Sequence, residues 1–240
     1  MTSVPDSNET AGQPAAPAPA KRPRRRLPLI VELLLALAAV ALVQAFVVKP
    51  FGVPSQSMEN TLQIGDRIVV NRLDHSVSRG DIVVFGHGDT WQSSRRSPAD
   101  NVIEKVVRAI GDVTGMGPSN TAYTVKRVIG LPGETVSCCS VDGKVLVDDH
   151  PLTEPYVFED LPFEAACEDD ASSPRCFAPI KVPEDSYLVL GDHRSQSADS
   201  VIGCRGSMTG DNCARFVHRD RIVGPVVFRL WPLSEVGRID

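Results

Sequence analysis

Several familiar signatures of chemistry are missing from this chain of 240 residues. It has no CxxC pair and no HExxH run, so the usual zinc spacings are not met, and no metal or cofactor is expected. The GxSxG elbow of the α/β-hydrolases is absent too, which disfavours that fold for any serine chemistry. No basic stripe crosses the body of the protein. Residues 1–26 hold Lys21, Arg22, Arg24, Arg25 and Arg26 against Asp6 and Glu9, a net of +3; the overall net charge is −5, leaving −8 for the remainder. An acidic body is a poor nucleic-acid binder, so that class is excluded.

What the chain does have begins with a tail. Residues 1–20 are rich in Ala, Pro, Ser and Thr and contain no aromatic residue. Such a stretch cannot bury enough surface to offset its chain entropy, so residues 1–26 read as a disordered basic tail. After KRPRRR comes Leu27–Val48, 22 residues in which Glu32 is the sole ionisable side chain. At ~1.5 Å per residue a helix of this length spans a hydrocarbon core of ~30 Å. A cleavable signal peptide has a shorter apolar region of ~7–15 residues and a small-x-small site, which Gln44-Ala45-Phe46 and Val47-Val48-Lys49 do not supply. The expectation is a single-pass transmembrane helix over 27–48 in the cell membrane, with the positive cluster cytoplasmic and residues 49–240 outside.

Six cysteines, Cys138, Cys139, Cys167, Cys176, Cys204 and Cys213, form an even set, which in an exported domain suggests disulfides. Cys167/Cys176 and Cys204/Cys213 are each nine apart and suited to closing small loops, each staple contributing somewhat under ~3 kcal/mol. Cys138 and Cys139 would form a strained ring if joined to each other, and the sequence leaves the connectivity open.

Beyond residue 62 helical periodicity is scarce. Short apolar or alternating runs take its place: Arg67–Asn71, Asp81–Phe85, Ile103–Val107, Ala122–Ile129, Thr135–Ser137, Lys144–Val147, Ser186–Leu190 and Ile222–Leu230. Gly, Pro, Asp or Asn bound most of them, and many are rich in Val and Ile. The fold class expected is mainly β: an antiparallel catalytic domain over 49–240 behind one helix. Val141-Asp142-Gly143-Lys144 marks a hairpin turn. Residues 86–101 and 111–120 are polar and Gly/Ser-rich and read as surface loops. Residues 148–183, acidic and holding one cysteine pair, read as a longer inserted loop.

Two segments carry chemistry. Pro54–Leu62, PSQSMENTL, places Ser55 and Ser57 in a turn just beyond the apolar run. Tyr123–Val136, YTVKRVIGLPGETV, sets Lys126 in an apolar strand that ends at a Pro-Gly turn. A serine hydroxyl is a weak nucleophile and needs a base. An ordinary lysine, of pKa ~10.4, is neutral in only about one molecule in ~2,500 at pH 7. Burial disfavours the ammonium and brings the amine towards ~7–8, where a general base is useful.

PSQSMENTL, GDRIVVNR (Gly65–Arg72), KRVIGLPGETV (Lys126–Val136) and GDHRSQSADS (Gly191–Ser200), in that order behind one anchor, resemble the motif set of type I signal peptidases, membrane-anchored Ser/Lys proteases. The resemblance implies that Ser57 is the nucleophile and Lys126 the general base. It implies that Ser55 stabilises the oxyanion beside the Ser57 N–H, a contribution typically of ~3–4 kcal/mol. Ser197 and Asp199 match residues supporting the lysine; by themselves they would read as turn formers. Phe51, Val53, Met58, Leu62 and Val125 are expected to wall the substrate pockets, although plain core suits them equally. The implied partners are signal peptides of secreted preproteins, membrane lipid and the protein export channel.

The chain departs from the pattern at Asn60, where proline is usual, at Arg72 for lysine and at Glu134 for aspartate. Val201 stands where the family often has arginine, so Asp199 needs another cation, Arg194 or Arg205. The rival readings are a catalytically silent, membrane-tethered β module that binds exported or cell-wall proteins, and a self-cleaving Ser/Lys protease of the repressor type. The anchor and the lack of a DNA-binding segment count against the latter.

Overall fold

The computed structural model describes residues 28–74, 76–88, 91, 101–114, 121–163, 167, 173–206 and 212–239; the tail over 1–26 lies outside them. The chain divides into two compact units, residues 1–37 and 38–240. Helix α1, Leu29–Phe46, is apolar all round, with Leu29, Leu33, Leu37, Val40, Val43 and Phe46 exposed. Among the described residues no helix is long and apolar enough to cross a membrane. The 18 residues of α1 rise only ~27 Å. It is shorter than the expected 27–48 because Val48 pairs with Asn71 and already belongs to the sheet.

Among the described residues twelve strands follow. β1 (Val48–Gly52), β2 (Arg67–Asn71), β3 (Ile82–Gly86) and β4 (Tyr123–Gly130) precede a second group: β5 (Thr135–Cys138), β6 (Val145–Val147), β7 (His150–Pro151) and β8 (Phe177–Lys181). The chain then returns through β9 (Ser186–Leu190), β10 (Val217–His218), β11 (Ile222–Trp231) and β12 (Gly237–Arg238). The larger sheet runs β1-β2-β11-β3-β4-β9-β10, with β12 on β11; the smaller runs β7-β6-β5-β8. All ladders are antiparallel, as expected of short alternating runs joined by turns.

β3 is buried on both faces: Ile82 and Val84 enter one cluster with Phe51, Met58, Leu62, Ile68 and Val125, while Val83 and Phe85 pack with Trp91, Val128, Tyr187 and Val189. A third cluster joins the two sheets through Ile129, Val136, Ile180, Leu188 and Leu190. Gly130 is where the sheets meet. A Cβ there would lie 2.6 Å from Val136 Cγ2 and 3.1 Å from Leu188 Cβ, so only hydrogen lets them close.

Three expectations are corrected. Ile103–Val107 is no strand but part of helix α2, Val102–Thr114, which also takes in the start of the expected 111–120 loop. Val102, Ile103, Val106 and Val107 recur at helical spacing, and Asn101 Oδ1 accepts the Glu104 N–H at 2.8 Å as an N-cap. The 148–183 insertion is not simply a loop, since it supplies β7 and β8 to the smaller sheet. Strand β1, Val48–Gly52, lies before the first of the runs expected to form strands and takes in the end of the expected helix. The cysteines pair as Cys167–Cys176, Cys204–Cys213 and, between neighbours, Cys138–Cys139.

Candidate active site

Ser57 sits in a single 3-10 turn, Gln56–Met58, that follows β1 directly. Met58, fully buried, nails the turn to the core, and the Leu62 N–H donates back to the Met58 carbonyl at 2.7 Å. β4, held between β3 and β9, carries Lys126 opposite Val83. Lys126 Nζ is hydrogen-bonded to Ser57 Oγ, joining residues 69 apart in sequence. Both side chains are buried. Burial pushes the Lys126 amine down to about 8, against the opposing fields of Asp199 and Asp192. The site thus holds a hydroxyl beside an amine that sheds its proton far more readily than a surface lysine. Ser55, exposed, has its Oγ 3.4 Å from Ser57 Oγ.

The segment after β9 closes the other side. Asp199 is fully buried and receives Arg205 Nη2 at 2.8 Å; Arg194 is engaged elsewhere, with Glu154 at 2.6 Å. The Ser197 hydroxyl is buried and makes no hydrogen bond. It packs against Gly191, where a Cβ would stand 2.3 Å from Ser197 Oγ and 2.4 Å from the Ser57 carbonyl oxygen. Gly191→Ala is therefore expected to push Ser57 away from Lys126 and to lower kcat by roughly 10²-fold, with substrate KM little changed. Retention of full kcat would show that the turn has slack here.

Phe51 and Val125 line an apolar cleft of about 70 Å³ with Gly52, Pro54, Ser55 and Tyr123, floored by Ile68 and Val84. The Phe51 and Tyr123 rings meet edge to face at 5.0 Å, with the Lys49 ammonium near both. Val53, Met58 and Leu62 lie behind this cleft in the core cluster rather than in its lining. Asn60 has φ of 76°, a conformation closed to proline, so the turn after Ser57 takes its own path.

Two residues of weight, Arg127 and Asp192, have no role in the reading of the sequence. Arg127 grips Asp192 through two bonds, at 2.9 and 2.8 Å, in a pair of 5% and 0% exposure. Thr61 donates to the same carboxylate at 2.5 Å, and Tyr156 stacks 3.9 Å from the guanidinium. Through Thr61 this pair ties β4 and the segment after β9 to the loop that follows Ser57. Both residues fall inside motifs quoted above, which was the available signal.

The family described as "Signal peptidase, peptidase S26" matches residues 26–231 of the chain. The chain belongs to that family. It is a serine endopeptidase, as the family and its curated relatives are. A signal peptidase I of Mycobacterium tuberculosis strain H37Rv is 33% identical over 250 residues, covering 98% of this chain and 83% of that protein. One from Leptolyngbya laminosa is 31% identical over 245 residues, covering 100% and 97%. Among solved structures, a signal peptidase I of Enterococcus faecalis V583 is 24% identical, with a TM-score of 0.33, covering 62% of this chain and 96% of that one.

Proposed function

We propose that this peptidase removes N-terminal signal peptides from exported preproteins, with Ser57 as nucleophile and Lys126 as general base. The observation that carries the reading is the buried Lys126 amine, brought down to about 8 and hydrogen-bonded to Ser57. Ser57 Oγ attacks the carbonyl carbon of the last signal-peptide residue, and its proton passes to Lys126. The oxyanion is met by the Ser57 N–H and the Ser55 hydroxyl. Lys126 then protonates the departing amine, leaving an acyl-enzyme on Ser57. Water activated by the same amine hydrolyses that ester and frees the enzyme. Ser197 and Asp199 support the lysine side, and the small apolar cleft admits a small residue before the cut. No cofactor takes part.

The apolar segment 27–48 anchors the chain in the cell membrane with residues 1–26 cytoplasmic, and the catalytic domain works outside, beside lipid and the export channel. The all-round apolar surface of α1 and the basic cluster before it support this placement.

Only unprotonated Lys126 can take the Ser57 proton. Cleavage of a preprotein by the native enzyme should therefore rise about tenfold per pH unit below about 8 and level off above it. Ser57→Ala should lower kcat by roughly 10⁴-fold or more. A flat profile across this range, or full activity in Ser57→Ala, rules the mechanism out.

A further inference from the structure

The two chain neighbours of Ser57 belong to depressions of different character. Ser55 lines the apolar cleft. Gln56 lines a polar cavity of about 490 Å³, together with Glu59, Asn60, Gln63, Phe158, Glu159, His193 and Gln196. It carries two carboxylates and one imidazole, with no lysine or arginine in its wall. The arginines around it are neutralised: Arg127 by Asp192, Arg194 by Glu154, and Arg229 by Asp66 and Glu235.

His193 organises the cavity. Its side chain is 5% exposed, with Nδ1 2.8 Å from Glu59 Oε2. Its Nε2 is buried and makes no hydrogen bond, although Glu159 Oε2 stands 3.3 Å away. The ring meets Phe158 edge to face at 5.1 Å. The Phe158–Glu159 segment is fixed alongside: the Phe158 N–H donates to the Asp192 carbonyl, and the Arg194 and Ser195 N–H groups donate to the Phe158 and Glu159 carbonyls. The His193 N–H donates to the Ser57 carbonyl at 3.2 Å, which couples the cavity to the nucleophile's own backbone. With the imidazole protonated the three groups sum to −1, and with it neutral to −2, so the cavity is anionic in either state.

We infer that this cavity is the subsite for the first residues of the released chain and that it selects a cationic side chain there over an anionic one. The inference rests on the proposed Ser57/Lys126 chemistry: with the small residue of a reacting peptide in the cleft at Ser55, the polar cavity at Gln56, tied to the Ser57 carbonyl through the His193 N–H, is the depression left for the residues that follow. A lysine or arginine arriving there finds two carboxylates and the free face of His193. A glutamate finds like charge in a partly desolvated pocket, the arrangement that excludes wrong partners.

The test uses the full-length enzyme and preproteins that share one signal sequence and an alanine run after the cut, with a single Lys or Glu walked through the first few mature positions. At one of those positions native enzyme should cleave the Lys substrate with kcat/KM at least about tenfold above the Glu substrate, an advantage that shrinks with added salt. Glu159→Gln should bring the ratio towards one, and Glu159→Lys should invert it. Glu159 is 65% exposed, so these variants avoid the packing risk of Glu59→Gln, which should act the same way. A native ratio near one at every position overturns the inference, as does a ratio untouched by either Glu159 variant. Failure of the Ser57/Lys126 reading looks different: Ser57→Ala would then cleave the Lys and Glu substrates as well as native enzyme does.

Discussion

Lys126→Met should abolish cleavage and at the same time make the folded protein more stable at neutral pH. The lysine falls from 10.5 to about 8 on burial. That shift corresponds to roughly 3 kcal/mol. Below about 8 the amine is charged in native and unfolded chains alike, and the native chain bears the desolvation cost in full. Between about 8 and 10.5 the native chain holds fewer protons, so stability climbs with pH until the cost is gone. Methionine, of similar length and apolar, carries no such cost. Denaturant unfolding of the detergent-solubilised full chain should give Lys126→Met a higher midpoint than native at pH 7, and the gap should close near pH 10.5. A gap of the same size at both pH values would mean that packing, and not charge, sets the difference. Loss of activity with loss of stability would mean that the lysine is structural.

The second large effect belongs to the buried pair behind the site. Asp192→Ala leaves the Arg127 guanidinium uncompensated against Tyr156 and also deprives Thr61 of its acceptor. Breaking a buried pair from one side typically costs ~3–5 kcal/mol, whereas replacing both partners by apolar groups of similar size is often neutral. Arg127→Met combined with Asp192→Leu should thus recover most of the stability lost in Asp192→Ala. Asp192 also holds the Lys126 amine up, so its removal should carry the acid limb of the pH profile below about 8. An Asp192→Ala protein as stable as native would mean that water reaches Arg127.

The local links of the chain were the legible ones. Runs such as Arg67–Asn71 and Ser186–Leu190 alternate or are continuously apolar between turn formers, and they form strands at those bounds or within a residue of them. Ser57 and Lys126 were visible as a hydroxyl near an apolar run and an amine within one, and the structure brings them into contact. What escaped is mostly long-range or of the wrong period. Ile103–Val107 was taken at period two because its Val and Ile content outweighed the 3–4 spacing and the Asn101 cap. β8, inside the acidic insertion, depends on pairing with β5 across about forty residues, and no local pattern announces that partner. His193 lies in the GDHRSQSADS motif and outside any apolar strand, with no local sign of a role. Its importance comes from Glu59 and Glu159, each distant in sequence from it or brought in by a separate loop.

Arg205 immediately follows Cys204, whose bond to Cys213 cinches the loop from which the guanidinium reaches Asp199. With Val201 inside the motif supplying no charge, the cation that meets Asp199 comes from this laced loop. The neutralisation of a carboxylate whose field acts on the Lys126 amine thereby depends on a loop that a reductant would unlace. The electrostatics around Lys126 and the oxidation state of one cysteine pair are, in this protein, a single property.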